Sequence, residues 1–199
     1  IESVLADFDV AAIKIGMLYS KEIIEMLKEV IFELDMPLVL DPVFISKAGS
    51  VLLQDDAVSS MRELFKYATV ITPNRYEAQA LFGYEDSGDD TLKQTPELKV
   101  PVLIKNHVHE AQGSKLSIDK LYYADKKKVF TSEYLDTTNL HGTGCSYSSA
   151  IAANLALGNS LEDSIEISKR FITHALRHAP KIGHGPGPIN HKKGGEDVS

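Results

Sequence analysis

Five residues of this chain, His141-Gly142-Thr143-Gly144-Cys145, join a glycine-flanked turn to the sole cysteine of the sequence, and an apolar helical run to Leu157 follows. Glycines on either side of Thr143 leave no Cβ in the way, so several backbone N–H groups can converge on an anion where that helix starts. A thiolate at such a place is favoured by the helix dipole and the unpaired amides, and it can take a proton from an attacking hydroxyl. Phosphoryl transfer depends mainly on positioning and on holding the charge that spreads over the transferred group, and these parts supply both. The same residues also suit a glycine turn that caps a buried helix, with Cys145 as a small core residue.

Other side chains gain meaning from their place at the ends of apolar runs. Asp41 follows an apolar stretch and precedes Pro42. It reads either as a hard oxygen ligand for Mg²⁺ or as an Asp-Pro turn. Asn74 and Glu77 have the spacing of a capping box, in which asparagine accepts from a helix amide and glutamate reaches back; a capped glutamate can also bind a metal-held water. Lys105 ends another apolar run, where its ammonium either reaches a phosphate as a point charge or is solvated. His174 and His178 stand four apart like two zinc ligands, but no third ligand of matching character lies nearby in sequence, and metal binding there is disfavoured.

Short apolar runs alternate with stretches of 3.6-residue periodicity, the pattern of an α/β fold with an open, mostly parallel sheet covered by helices. Strands are predicted at 10–15, 37–40, 68–71 and 100–105. Ser20 caps a predicted helix with Ile23, Leu27, Val30, Ile31 and Leu34 on one face. Further helices are predicted over 55–67, burying Val58, Met61, Leu64 and Phe65, and over 75–82. Long crossovers make these four strands parallel, so their carboxyl ends share one edge, the usual ligand side of such sheets. That places Gly16, Met17, Asp41, Asn74 and Lys105 together. Residues 121–123 and 129–131 read as a β-hairpin across Lys126-Lys127-Lys128, itself a solvated turn. A last helix, capped by Ser160 and Asp163, directs Ile165, Phe171, Ile172 and Leu176 inward. Residues 83–99 read as a loop, 183–188 cannot be helical, and 194–199 are expected to be disordered.

Composition narrows the classes. The chain has 199 residues, 43% of them hydrophobic, which suits one domain with a proper core. A formal net charge of -7, with no larger basic cluster than the lysine triplet, argues against nucleic-acid partners. One cysteine forms no intramolecular disulfide, and neither a signal-peptide core nor a membrane-length apolar run occurs, so a cytoplasmic protein is expected. Ile1 falls inside a helical pattern, and further chain upstream is expected.

With these residues in place, the chain resembles the hydroxymethylpyrimidine/phosphomethylpyrimidine kinases of thiamine biosynthesis, within the ribokinase-like superfamily. The resemblance rests on seven ordered blocks: residues 12–18, Leu40-Asp41-Pro42-Val43, Val70-Ile71-Thr72-Pro73-Asn74 with Glu77, Leu103-Ile104-Lys105, Asn139 to Cys145, 150–157, and Gly183 to His191. It implies a doubly wound, ribokinase-like domain over 1–191 with a disordered tail over 192–199, usually assembled as a homodimer. It also implies phosphorylation of the pyrimidine alcohol and then of its monophosphate, with ATP and Mg²⁺.

Carried onto this sequence, Gly142, Thr143, Gly144 and Cys145 form the anion hole, with Cys145 as base. Asp41 and Glu77 serve the metal, and Lys105, Asn74, Glu77 and Thr143 serve the nucleotide. Gly16, Met17, Val43 and Cys145 line the pyrimidine pocket. Two departures stand out. The family's N-terminal glycine-rich strand, first helix and flap have no counterpart here, and its common Gly-Gly-His after the strand lysine is replaced by Asn106-His107-Val108. A pyridoxal kinase shares the Gly-Thr-Gly-Cys turn and is the alternative enzyme, and a non-catalytic nucleotide-binding fragment is the alternative of another class.

Overall fold

Alternation along very short strands decides the architecture. In β2 (Leu38–Leu40), Leu38 and Leu40 join one buried cluster and Val39 the other; Val70 and Ile71 of β3 (Val70–Ile71) divide in the same way. A strand apolar on both faces must be covered on both, and here helices do so. The computed structural model describes residues 1–44, 55–85, 99–111, 113–123 and 126–196.

Six strands form one sheet in sequential order. β1 (Ile13–Ile15), β2, β3 and the start of β4 (Val102–Ala111) are parallel; β5 (Ser114–Tyr123) and β6 (Lys126–Glu133) follow antiparallel. The crossover helices α2 (Lys21–Ile31), α3 (Asp55–Leu64, continued by a 3-10 turn Phe65–Tyr67) and α4 (Arg75–Phe82) contribute to one core with Leu38, Leu40, Ile71 and Ile104. On the opposite face α5 (Thr143–Ala156) and α6 (Leu161–Arg177) pack over Val39, Val70, Leu103 and Leu121. The short helices α1 (Glu2–Asp7) and α7 (His191–Glu196) stand at the two ends of the chain described. Among the described residues no helix is long and apolar enough to cross a membrane.

The parallel strands and helices fall close to where periodicity places them, and the differences have local causes. The first strand begins at Ile13 rather than residue 10. On α2 it is Ile24 that is fully buried while Ile23 is 40% exposed, and Ser20 stands at the N-cap without a side-chain cap bond. The hairpin is far longer than expected, because β4 runs on past Lys105 and pairs with β5 from Val102 to Ala111. Its polar outer residues hide the alternation. Lys126 to Lys128 open β6 instead of forming the turn. Gly194 does not begin a disordered tail: it is buried in α7, where a Cβ would press on Phe171 and Ala175. Most of the loop expected over 83–99, and residues 197–199, lie outside the described residues.

Where β4 leaves the parallel sheet its register with β5 shifts between Ile104 and His107, and Asn106 takes a left-handed φ of 70°. Asparagine is among the side chains that tolerate this region best after glycine, which accounts for its place at the bulge. The Asn106 N–H donates to Asp119 Oδ1 at 3.0 Å and so fixes the bulge. Asn106→Val is therefore expected to lower unfolding free energy by about 1–2 kcal/mol, while Asn106→Gly stays close to the parent; denaturant titration of both variants checks this.

Candidate active site

Three parallel strands end at one carboxylate. Asp41, just past β2, is 2% exposed and accepts at 2.8 Å from Nζ of Lys105, which lies in β4, two strands away. Thr72, just past β3, donates to the same oxygen at 3.3 Å; Ser148 of α5 donates to the other at 3.0 Å, and Lys14 of β1 lies 3.9 Å from it. The alternation of each strand turns these side chains toward a common point. Both members of the Asp41–Lys105 pair are buried, and removing either leaves a desolvated charge, at a cost of about 3–5 kcal/mol.

The capping box foreseen at Asn74 and Glu77 is present. Asn74 Oδ1 accepts from the N–H groups of Tyr76 and Glu77, and Glu77 Oε2 accepts from the Asn74 N–H at 2.7 Å. An isolated parallel bridge ties Asn74 to Lys105, which brings the box to the same edge. Burial pushes the Glu77 carboxyl up to about 7; the Asn74 amide and Lys105 act against the shift, and Asp41 adds to it.

The glycine turn meets this cluster through α5. Gly142 adopts φ 80° at the N-cap, and Thr143 N–H and Oγ1 both donate to Leu140 O. The next two amides, Gly144 and Cys145, have no protein acceptor among the described residues; the first helical bond comes from Ser146 N–H to Gly142 O. A Cβ on Gly144 would lie 3.6 Å from Lys105 Nζ, so two free donors and an ammonium adjoin one another. Cys145 is exposed, not a core residue.

The turn separates two cavities. One, of about 470 Å³, is lined by Asn74, Lys105, Asn106, Thr143 and Gly144 and extends between the β4–β6 hairpin and α6. The other, of about 540 Å³, is lined by Cys145, Ser146, Phe171 and His191. Gly16 and Met17 follow β1 at the strand-end edge and Val43 follows Asp41, but none of the three lines either of these cavities. His174 and His178 meet edge to face at 4.3 Å, with His178 Nδ1 donating to His174 O.

Several residues of the site escape a reading by motif. Lys14, Thr72 and Ser148 surround Asp41. Lys169 and Asp119 form a second buried pair at 2.7 Å and line the cavity between the hairpin and α6. Burial, then Asp119, holds the Tyr147 phenol well above its ordinary range. A signal for this pair exists: Lys169 interrupts the Ile165, Ile172 stripe of α6, and Asp119 shares the inward side of β5 with Leu121. Charges in such places imply each other.

The sequence model of the family described as phosphomethylpyrimidine kinase matches residues 1–190. This chain belongs to the phosphomethylpyrimidine kinase family. It is 40% identical over 201 residues to the hydroxymethylpyrimidine/phosphomethylpyrimidine kinase of Haemophilus influenzae, covering 96% of this chain and 74% of that one. Its fold matches an ADP complex of Bacillus subtilis pyridoxal kinase with a TM-score of 0.82 and 31% identity, over 96% of this chain and 74% of the other. A phosphomethylpyrimidine kinase from Clostridium difficile matches with a TM-score of 0.68 and 31% identity, over 87% and 72%.

Glu77 gives this family site a pH signature. Its carboxyl ionises near 7 when folded and near 4.5 when not, so between those values the unfolded chain has lost a proton that the folded chain keeps. Stability must then fall as pH rises through this window, by up to about 3 kcal/mol, and level off above it. Glu77→Gln keeps the capping acceptor and should abolish this group's share of the slope; equal slopes for parent and variant, in metal-free denaturant titrations, contradict the assignment.

Proposed function

We propose that the chain carries out ATP-dependent phosphorylation of 4-amino-5-hydroxymethyl-2-methylpyrimidine and of its monophosphate. The observation that carries this reading is the pair of free amides at Gly144 and Cys145 beside the buried Lys105 ammonium, with an exposed thiol on the same turn. The relatives support it by name, and the ADP complex of a structural neighbour supports a nucleotide donor.

The donor phosphates lie against Lys105 and the Gly142 to Cys145 turn, with the rest of the nucleotide in the cavity under the hairpin. Lys105, oriented by Asp41, supplies fixed positive charge, and the amides hold the charge of the transferred group without reorganising during reaction. The acceptor's oxygen bonds to the terminal phosphorus as the bond from that phosphorus to the bridging oxygen of ADP breaks, and the acceptor's proton passes to Cys145 Sγ. Gly16, Met17 and Val43 receive the pyrimidine on the acceptor side.

Mg²⁺ fits the donor set present. Asp41 and Glu77 are hard oxygen ligands, and the reluctance of buried Glu77 to carry charge is what a neighbouring cation relieves. Their hydrogen bonds leave lone pairs to spare, since a carboxylate offers about four. These two residues would hold the ion, which when bound neutralises phosphate charge. We further propose a cytoplasmic homodimer, as the family resemblance implies.

Cys145→Ala should lower kcat roughly 10²- to 10⁴-fold, the worth of a positioned base, while ADP affinity changes little. Near-parental kcat would remove the thiol from the mechanism. Turnover of the pyrimidine alcohol and of pyridoxal, run in parallel, tests the substrate: preference for pyridoxal replaces this reading with the alternative enzyme, and ADP binding without turnover of either leaves a non-catalytic nucleotide binder.

A further inference from the structure

The anion turn is not held by its own helix alone. Residues 180–191 run back across it and bond to it on both sides. Asn139, only 9% exposed, reaches this segment twice: its Oδ1 accepts from Gly187 N–H at 3.0 Å and its Nδ2 donates to Pro180 O at 3.4 Å. His141 N–H donates to Gly187 O at 3.2 Å, and His141 forms a parallel bridge with Pro188. Beyond the turn, Ser146 Oγ and His191 Nε2 are hydrogen-bonded at 2.7 Å.

The segment is itself anchored. Ile189 is buried in the core beneath α5 and α6, and Asn190 N–H donates to Ala175 O of α6 at 3.0 Å. The contact between Asn139 and Gly187 leaves no slack, because a Cβ on Gly187 would collide with Asn139 Oδ1 and press on its Cγ. A buried amide that satisfies one N–H and one C=O of a passing segment is a rigid spacer. It fixes the level at which His141 enters the turn, and so the direction of the Gly144 and Cys145 amides three to four bonds of chain later.

We infer that Asn139 is a positioning residue for phosphoryl transfer, acting through Gly187 to hold the two free amides at the transferred group. Its kinetic arm rests on the proposed kinase reading; its structural arm does not. Amides that stabilise a transition state are sensitive to displacement, and a shift of about 1 Å can cost on the order of 10²-fold in rate. Ground-state binding by Lys105 and the cavity walls does not pass through Asn139.

Asn139→Ala, assayed well below its melting temperature, is expected to lose roughly 10- to 100-fold in kcat, with KM for nucleotide and alcohol changed less than about threefold. A lowered melting temperature with parental kcat would reduce Asn139 to a structural role and overturn the inference. Gly187→Ala should reproduce the kcat loss, and the Asn139→Ala/Gly187→Ala double variant should be no slower than the slower single variant, because both act at one contact; multiplying losses would overturn it.

Exchange of the hydrogen-bonded amides of His141, Thr143 and Ser146 should speed up at least about tenfold in Asn139→Ala relative to the amides of β4, and unchanged exchange would likewise overturn it. Should the parent chain phosphorylate neither alcohol, the kinase reading fails while the exchange result still decides the positioning claim. If Asn139→Ala does not fold, the isosteric Asn139→Asp keeps the acceptor for Gly187 N–H and loses the donor to Pro180 O. It should then show a smaller kcat loss of the same kind, and full activity would count against the inference.

Discussion

One buried carboxylate organises this molecule's ligand edge. Asp41 is met by Lys105, Thr72, Ser148 and, at greater distance, Lys14. Together with Asp41 itself, those residues come from the four neighbouring strands β1 to β4, or the residues just past them, and from the helix that lies across them. A charge withdrawn from water tolerates few arrangements, since every lost partner leaves part of its desolvation uncompensated. Hydrophobic burial holds the sheet and helices together but is nearly indifferent to small slides between them. The hydrogen bonds to Asp41 are not. Ser148 in particular sits one helical turn beyond Gly144, so docking it on Asp41 fixes the start of α5 against Lys105. The nearness of the free amides to the ammonium follows from that one contact.

A second buried pair does the same at the wall of the cavity between the hairpin and α6. Lys169 and Asp119 join α6 to β5, and the other oxygen of Asp119 takes the amide of Asn106 in its left-handed bulge. The strand β4 is thus pinned on each side of its kink, at Lys105 by Asp41 and at Asn106 by Asp119. This allows β4 to leave the parallel sheet, turn, and pair with β5 over a long stretch without the register drifting. The hairpin it begins is one wall of the cavity. Two ion pairs therefore set the width of the space between hairpin and α6, and both are inside, where salt does not screen them.

Sequence pattern was a good guide wherever apolar periodicity carried the information. The boundaries of α4, α5 and α6, the parallel order of the first four strands and the capping box at Asn74 all follow from residue types within a few positions of each other. It was a poor guide where the deciding contact is distant. The length of β4 through β6 depends on pairing between polar residues, whose alternation between solvent and cavity leaves no apolar signature. Gly194 reads as a tail residue because its neighbours are polar, yet the space it fills is set by Phe171 and Ala175 on another helix. Among site residues, Asp41, Glu77, Lys105 and the glycine turn stood out because each closes an apolar run or opens a helix. Ser148 and Thr72 did not, since a serine within a helix and a threonine before proline are unremarkable until a buried carboxylate needs their hydroxyls. Asp119 and Lys169 could have been paired in advance, as a lone acid on an inward strand face and a lone base on an inward helix stripe each lack a reason without the other.

Exposure across the turn changes abruptly, and the change has a chemical sense. Lys105 is 3% exposed and Ser148 is fully buried, while Cys145, three residues before Ser148 on α5, is open. Fixed charges and dipoles act most strongly where water is excluded, so the side that would hold the phosphates is the dry one. A group that must meet successive acceptors, first an alcohol and then its phosphate, needs access instead. One short turn satisfies both demands because its backbone and its side chains point to opposite sides: the amides toward the ammonium, the thiol toward the second cavity. Glycine at 142 and 144 makes this possible, the first by accepting the left-handed conformation that starts the helix and the second by leaving the lysine room to approach. A Cβ at 144 would already stand in van der Waals contact with the ammonium at 3.6 Å, so the space between turn and lysine is filled by the glycine's own backbone and little else.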